Sequence, residues 1–133
     1  MPKYRNKVRL KKYLSGHNRA DKLIEFLILH NYPDEIIETV TKDGIDIFVT
    51  AWEVSVEFIV ADPDYEEYDF DLSKRTELYL VLQHTPSEQV QTFKNRIMIA
   101  DESFKKATIE TDGPQNKNAS EKKDQWWLFR QLK

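Results

Sequence analysis

A chain of 133 residues with no cysteine fits one domain and can bury roughly two thirds of its unfolded surface without disulfides. The same absence excludes thiol catalysis, iron–sulfur clusters and thiolate zinc sites, and it fits a reducing compartment, so a cytoplasmic protein is expected. Charged residues make up 32% of the chain and aromatic residues 12%, which excludes wholesale disorder. No apolar stretch approaches the roughly 18 residues of a membrane span, and no cleavable signal pattern follows the basic start.

The net charge of −3 hides an asymmetry. Residues 1–20 carry seven basic and no acidic side chains, leaving 13 basic and 23 acidic for the rest. A basic arm thus joins an acidic body, a hint of contact with nucleic acid or another polyanion. The arm, residues 1–16, sets Val8, Leu10, Tyr13 and Leu14 among its cations. Lys3, Arg5, Lys7, Arg9, Lys11, Lys12 and Arg19 are the candidate phosphate contacts, because each neutralised phosphate releases counterions. Tyr4 and Tyr13 offer rings on which bases could stack. The sequence shows no recognition helix for base-specific readout.

A single α+β domain is expected over residues 17–110. Asn18 has the form of a helix N-cap, with Asp21 near the positive end of the dipole. The spacing of Leu23, Ile24, Leu27 and Ile28 predicts a helix over about 19–30, stopped by Tyr32-Pro33. Glu35 to Thr41, rich in Ile and Val, predicts a strand, and Lys42-Asp43-Gly44 a turn. In Ile45 to Ala61, Ile45, Ile47 and Val49 alternate, then Val54, Val56, Phe58 and Val60. The change of parity predicts two strands meeting near Thr50–Glu53. Glu77 to His84, with the apolar run Leu78 to Leu82, predicts a buried strand, with a helix from Ser73 as the alternative.

Thr85-Pro86-Ser87-Glu88 carries a capping-box pattern with proline at the first helical position. From there Val90, Phe93, Ile97, Ala100, Phe104 and Ala107 follow spacings of 3 and 4, which predicts one helix over 86–107. Residues 111–119 read as a linker. Ser120 is the expected cap of a short C-terminal helix over 120–133 bearing Trp126, Trp127, Leu128, Phe129 and Leu132. The expected architecture is an antiparallel sheet of about four strands carrying an N-terminal helix, a long helix and a short C-terminal helix.

No catalytic set closes. His17, His30 and His84 lack metal-binding helical spacing, and three glycines are too few for phosphate-cradling loops. Nucleases of the PD-(D/E)XK class place a helix acid, a strand Asp and then an acid-x-Lys, with the carboxylates on Mg²⁺. Glu25, Asp46 and Glu57 follow that order loosely, with Gln89 and Gln91 opening the long helix. Ile59 stands where the Lys belongs, so an active nuclease is not expected and a degenerate nuclease fold is only a third reading.

The segment Asp62, Asp64, Glu66, Glu67, Asp69 and Asp71 interleaves its acids with Tyr65, Tyr68 and Phe70. It lacks the Gly and Glu of an EF-hand loop. It reads either as a solvated loop or as an acidic-aromatic surface for a basic partner, and it could fold back on the arm of its own or a neighbouring chain. Trp126 and Trp127 read as core packing or as a docking tail. The sequence thus favours a non-enzymatic protein-binding module of regulatory, inhibitor or immunity type, without cofactor or metal. It would act through Asp62, Asp64, Tyr65, Glu66, Glu67, Tyr68, Asp69 and Asp71, with Trp126 and Trp127 if exposed. Nucleic-acid binding through the arm is the alternative, no membrane contact is expected, and a homodimer is compatible.

Overall fold

A computed structural model describes residues 21–112 and 124–133. The basic arm with Arg19, the Asn18 cap, the Ser120 cap and most of the predicted linker lie outside these residues. Helix α1 (Asp21–Leu29) closes on Asn31, whose φ of 61° is the left-handed conformation that Asn tolerates after a helix end. Helix α2 (Asp34–Asp43) starts after Pro33, with Asp34 and Glu35 in its first turn, and buries Ile37 and Val40. Gly44 ends it at φ 75° and ψ −150°, a region open essentially only to glycine. A Cβ there would also meet Gln89 Oε1 at 2.7 Å. That oxygen accepts the Ile45 N–H at 3.1 Å, fastening this turn to the start of the fifth helix.

Helix α3 (Asp46–Ala61) follows, then α4 (Tyr65–Gln83) and α5 (Ser87–Ala107). Strands β1 (Thr108–Glu110) and β2 (Arg130–Leu132) pair antiparallel, Thr108 opposite Leu132 and Glu110 opposite Arg130. A single 3₁₀ turn, Trp126–Phe129, precedes β2. Helix α3 packs against both α4 and α5, α2 packs against α3, and α1 packs against α2. None of the described helices is long and apolar enough to cross a membrane.

The expected four-stranded α+β fold is therefore overturned: the described chain is a helical bundle with one short two-stranded ribbon. The predicted strand 35–41 is α2. The predicted strand pair over 45–61 is the single helix α3, because Ile45, Phe48, Val49, Trp52, Val56 and Ile59 are buried at helical intervals. Val, Ile and Thr favour strands only when a pleated surface exists to pack them, and tertiary burial overrides that preference here. The predicted strand at 77–84 is the second half of α4, a helix as in the alternative but one that starts at Tyr65 and not at Ser73. The predicted C-terminal helix is the 3₁₀ turn and β2.

Helix α5 matches its expected span, but its cap differs. The Thr85 hydroxyl donates backward to the Val81 carbonyl at 2.7 Å, closing α4, and makes no cap to α5. Of the residues expected to face a sheet, Ile97 and Phe104 are buried among helices, and Val90 and Phe93 are half-buried.

The core is aromatic at its centre. Phe104 has no exposure and packs its ring against Trp52 (5.3 Å), Trp126 (5.9 Å) and Tyr68 (6.4 Å). Beside it the Arg75 guanidinium of α4 grips Asp101 of α5 through two hydrogen bonds, Nε to Oδ1 at 2.9 Å and Nη2 to Oδ2 at 3.1 Å. Trp52 Nε1 of α3 donates to the same Oδ1 at 2.9 Å. One carboxylate thus ties three helices. The other face of Arg75 lies over the Trp127 ring at 4.5 Å, and its Nη1 is buried without a hydrogen-bond partner. A cation on an indole face keeps part of its electrostatic stabilisation after leaving water.

The C-terminal segment closes the bundle. Trp127 Nε1 donates to Thr76 Oγ1 at 2.9 Å, and the Tyr68 hydroxyl donates to the Arg130 carbonyl at 2.8 Å. Arg130 donates to the Lys105 and Thr108 carbonyls at 3.0 Å each, a cation on the last acceptors of α5.

Candidate interaction surface at the helix corner

The acidic-aromatic segment is the turn between α3 and α4 and the first two turns of α4. Asp64 caps that helix by accepting the Glu66 N–H at 2.9 Å. Glu66 and Glu67 then sit in the first turn, where the helix dipole favours negative charge. The sequence rule that found the start of α5 applies here equally: a capping Asp followed by acids marks a helix N-terminus.

Helical spacing divides the segment in two. Asp62, Asp64, Tyr65, Glu66, Glu67 and Asp69 are exposed. Tyr68 and Asp71 turn inward and are buried. Tyr68 stacks on Phe104 and reaches Arg130, so it belongs to the closure of the bundle. Burial pushes its hydroxyl well above the ordinary tyrosine range. Trp127 is buried, and half-buried Trp126 stands edge-on to it at 5.8 Å with Lys105 over its ring at 4.8 Å.

Asp71 is held above the usual carboxylate range, first by burial, then by Glu67 and Asp64; a hydrogen bond with Ser55 acts the other way. A carboxyl whose folded-state pKa is raised contributes stability that is fully present below its unfolded-state pKa. That contribution is lost as pH rises through the folded-state value. Asp71→Asn, neutral throughout, is therefore expected to match the native chain in acid and to exceed its melting temperature at neutral pH. Thermal unfolding at the two pH values checks this, and a lower neutral-pH melting point would show that the ionised carboxylate is required.

The site also contains residues the sequence reading placed elsewhere. The alternation of Val54, Val56, Phe58 and Val60 predicts that they share one face of a strand. In the helix only Val56 of that set is buried, and Val54 (42% exposed), Phe58 (60%) and Val60 (54%) face solvent. Val54 and Phe58 lie one turn apart on the outer face of α3, and Tyr65 (74% exposed) begins α4 just past the turn. The signal was present: with Trp52, Val56 and Ile59 inward at helical spacing, positions 54 and 58 fall on the opposite side. Phe70 is also exposed, with Lys74 Nζ 4.8 Å from its ring centroid.

No basic residue occurs between Lys42 and Lys74. The fold supplies a counter-charge at one end of α3 only, where Arg96 of α5 pairs with Asp46 and Glu53 at 2.5 Å each. Toward the corner, none of Glu57, Asp62, Asp64, Glu66, Glu67 and Asp69 is paired with a cation among the described residues. The corner therefore presents large apolar side chains within an uncompensated negative field.

The nuclease-like order of acids finds no matching frame. Asp46 and Glu57 lie on one helix, Asp46 is committed to Arg96, and no strand carries either residue. No cluster of three metal-ligating side chains occurs among the described residues. No protein-family model, no curated protein and no solved structure matches the chain.

Proposed function

We propose that the chain is a non-catalytic protein-binding module, of regulatory, inhibitor or immunity type, that engages its partner through the α3–α4 corner. The observation that carries this reading is the exposure of Val54, Phe58 and Tyr65 amid unpaired carboxylates. Large apolar side chains exposed among polar groups are candidate anchors for an interaction site. Tyrosine and phenylalanine supply large contact area at low entropic cost, and a few such anchors dominate binding. The unpaired acids favour a partner surface of opposite sign and exclude like-charged ones.

Phe58→Ala with Tyr65→Ala is expected to weaken partner binding by about 30-fold or more, the effect of losing a hot spot of about 2 kcal/mol. Because both side chains are largely exposed, thermal unfolding should change little. The measurement is recovery of a partner on the immobilised full chain, with and without nuclease, followed by titration of both forms. Equal affinity for the native and doubly substituted chains would remove the corner from the interface. A partner recovered only before nuclease treatment, with affinity falling by about 0.9 log units per phosphate contact per tenfold salt, would favour the arm and nucleic acid instead.

A further inference from the structure

Helix α1 and the last turn of α4 border a groove of about 480 Å³. Phe26, Leu29 and Leu80 line it, with His30 and His84 just past the two helix ends. Leu29 and Leu80 are exposed, although both face this one cavity. The Phe26 ring packs on those of His30 (4.2 Å) and His84 (4.4 Å), so this part of the lining is set by packing within the bundle. The volume falls within the roughly 300–1,000 Å³ of preformed binding sites. Independently of the corner, we infer that the groove is the docking site of this chain's own N-terminal segment, which seats Leu10, Tyr13 and Leu14 in it.

Sequence and reach choose the occupant. Leu10, Tyr13 and Leu14 recur at spacings of three and four, with Arg9, Lys11 and Lys12 between or beside them. An apolar side of that spacing is what a helix-in-groove contact reads. Residues 113–123 offer only Pro114 and Ala119 as apolar side chains and supply no such set. The N-terminal segment enters the described structure at Asp21, and Lys22 already lines the groove. Leu14 lies seven residues before Asp21, a reach of up to about 23 Å at roughly 3.3 Å per residue. Along α1 the groove runs from Lys22 to Leu29, about 10 Å at roughly 1.5 Å per residue. Leu14 therefore reaches either end of it. Ser15 to Ala20 contains Gly16 and no large apolar residue, a composition suited to the reversal. A tether this short gives the segment an effective concentration on the order of millimolar, so in dilute solution it fills its own groove before that of a second copy. Docking engages Tyr13, one of the two rings offered to bases, so nucleic acid has to compete with the groove for it.

The test uses the full chain, which has no cysteine, so Lys12→Cys accepts a single spin label. The label is expected to broaden the amide signals of Leu29, Leu80 and His84 and to spare those of Val54 and Tyr65. It should do so equally at low and high salt, because screening acts on charge and not on apolar contact. Spin-labelled chain mixed in dilute solution with an isotope-labelled chain that carries no spin label is expected to leave the signals of the latter sharp. Two variants, Tyr13→Ser with Leu14→Ser on the segment and Leu29→Asp with Leu80→Asp in the groove, are each expected to lose the broadening. In each, trypsin is expected to cut after Arg9 and Lys11 about tenfold or more faster. Cleavage tracks the undocked population, and one buried leucine accounts for at least about that factor. The segment variant leaves the described bundle untouched, so its result decides even if the groove variant unfolds. Absence of broadening at the groove in the native chain, broadening or trypsin rates unchanged in the segment variant, or release as salt rises overturns the inference. Broadening in the mixed sample overturns it and assigns the groove to a second copy. Broadening centred on Tyr65 overturns it and assigns the segment to the corner.

Discussion

Asp101→Ala is expected to lower the free energy of unfolding by about 3–5 kcal/mol, the cost of breaking a buried ion pair by removing one partner. The substitution leaves the Arg75 guanidinium buried, with its two hydrogen bonds gone and only the indole rings of Trp127 and Trp126 beside it. It also removes the acceptor of Trp52 Nε1. Against the 5–15 kcal/mol that holds a typical domain together, that loss is a large share. Replacing both partners, Arg75→Met with Asp101→Leu, is expected to recover most of it, because a buried pair exchanged for apolar groups of similar size is often neutral. Urea unfolding of the two forms measures the difference. A single-substitution loss within the scatter of surface changes, about 0.5 kcal/mol, would show that water reaches the pair and that α4 and α5 do not close over it.

The second large effect concerns the C-terminal tryptophans, which the sequence left divided between core and docking tail. Trp127→Ala is expected to cost about 3–5 kcal/mol, as for other fully buried aromatic side chains. It removes the ring beneath Arg75 and the partner of Thr76, and it leaves a cavity beside Tyr79, whose ring centre lies 5.4 Å away. Trp127→Phe keeps most of the packing and loses the hydrogen bond, so it should cost about 1 kcal/mol beyond its smaller ring. Unfolding followed by tryptophan fluorescence separates the two. If Trp127→Ala unfolds like the native chain, the tail does not pack on the bundle, and Trp126 and Trp127 return to the interaction surface.

These residues show which parts of the site could be read early. The acidic-aromatic segment stood out because six acids and three aromatic residues share one short stretch. Which of them reach solvent did not, because that depends on the element carrying them. Read as a loop, Tyr65 and Tyr68 were equivalent; on α4 one is 74% exposed and the other 6%. Phe58 was missed for the same reason, since a strand of period two buries it beside Val56 and a helix sets the two apart. The Arg75–Asp101–Trp52 cluster had no local signal, as its members lie 26 and 49 positions apart.

Local chemistry in the sequence was enough to place the helix around Leu23 to Ile28, the glycine turn at 44, the long helix after Pro86 and the charge division between arm and body. Those features rest on backbone preference and nearest neighbours, which a single stretch of chain specifies. The choice between strand and helix for Ile45 to Ala61 belonged to the tertiary structure. Its β-branched residues satisfy either period, and only the burial of Phe48, Trp52 and Val56 in the bundle core decides between them. That decision turns Val54 and Phe58 outward, turns Tyr68 and Asp71 inward, and so creates the surface proposed to bind.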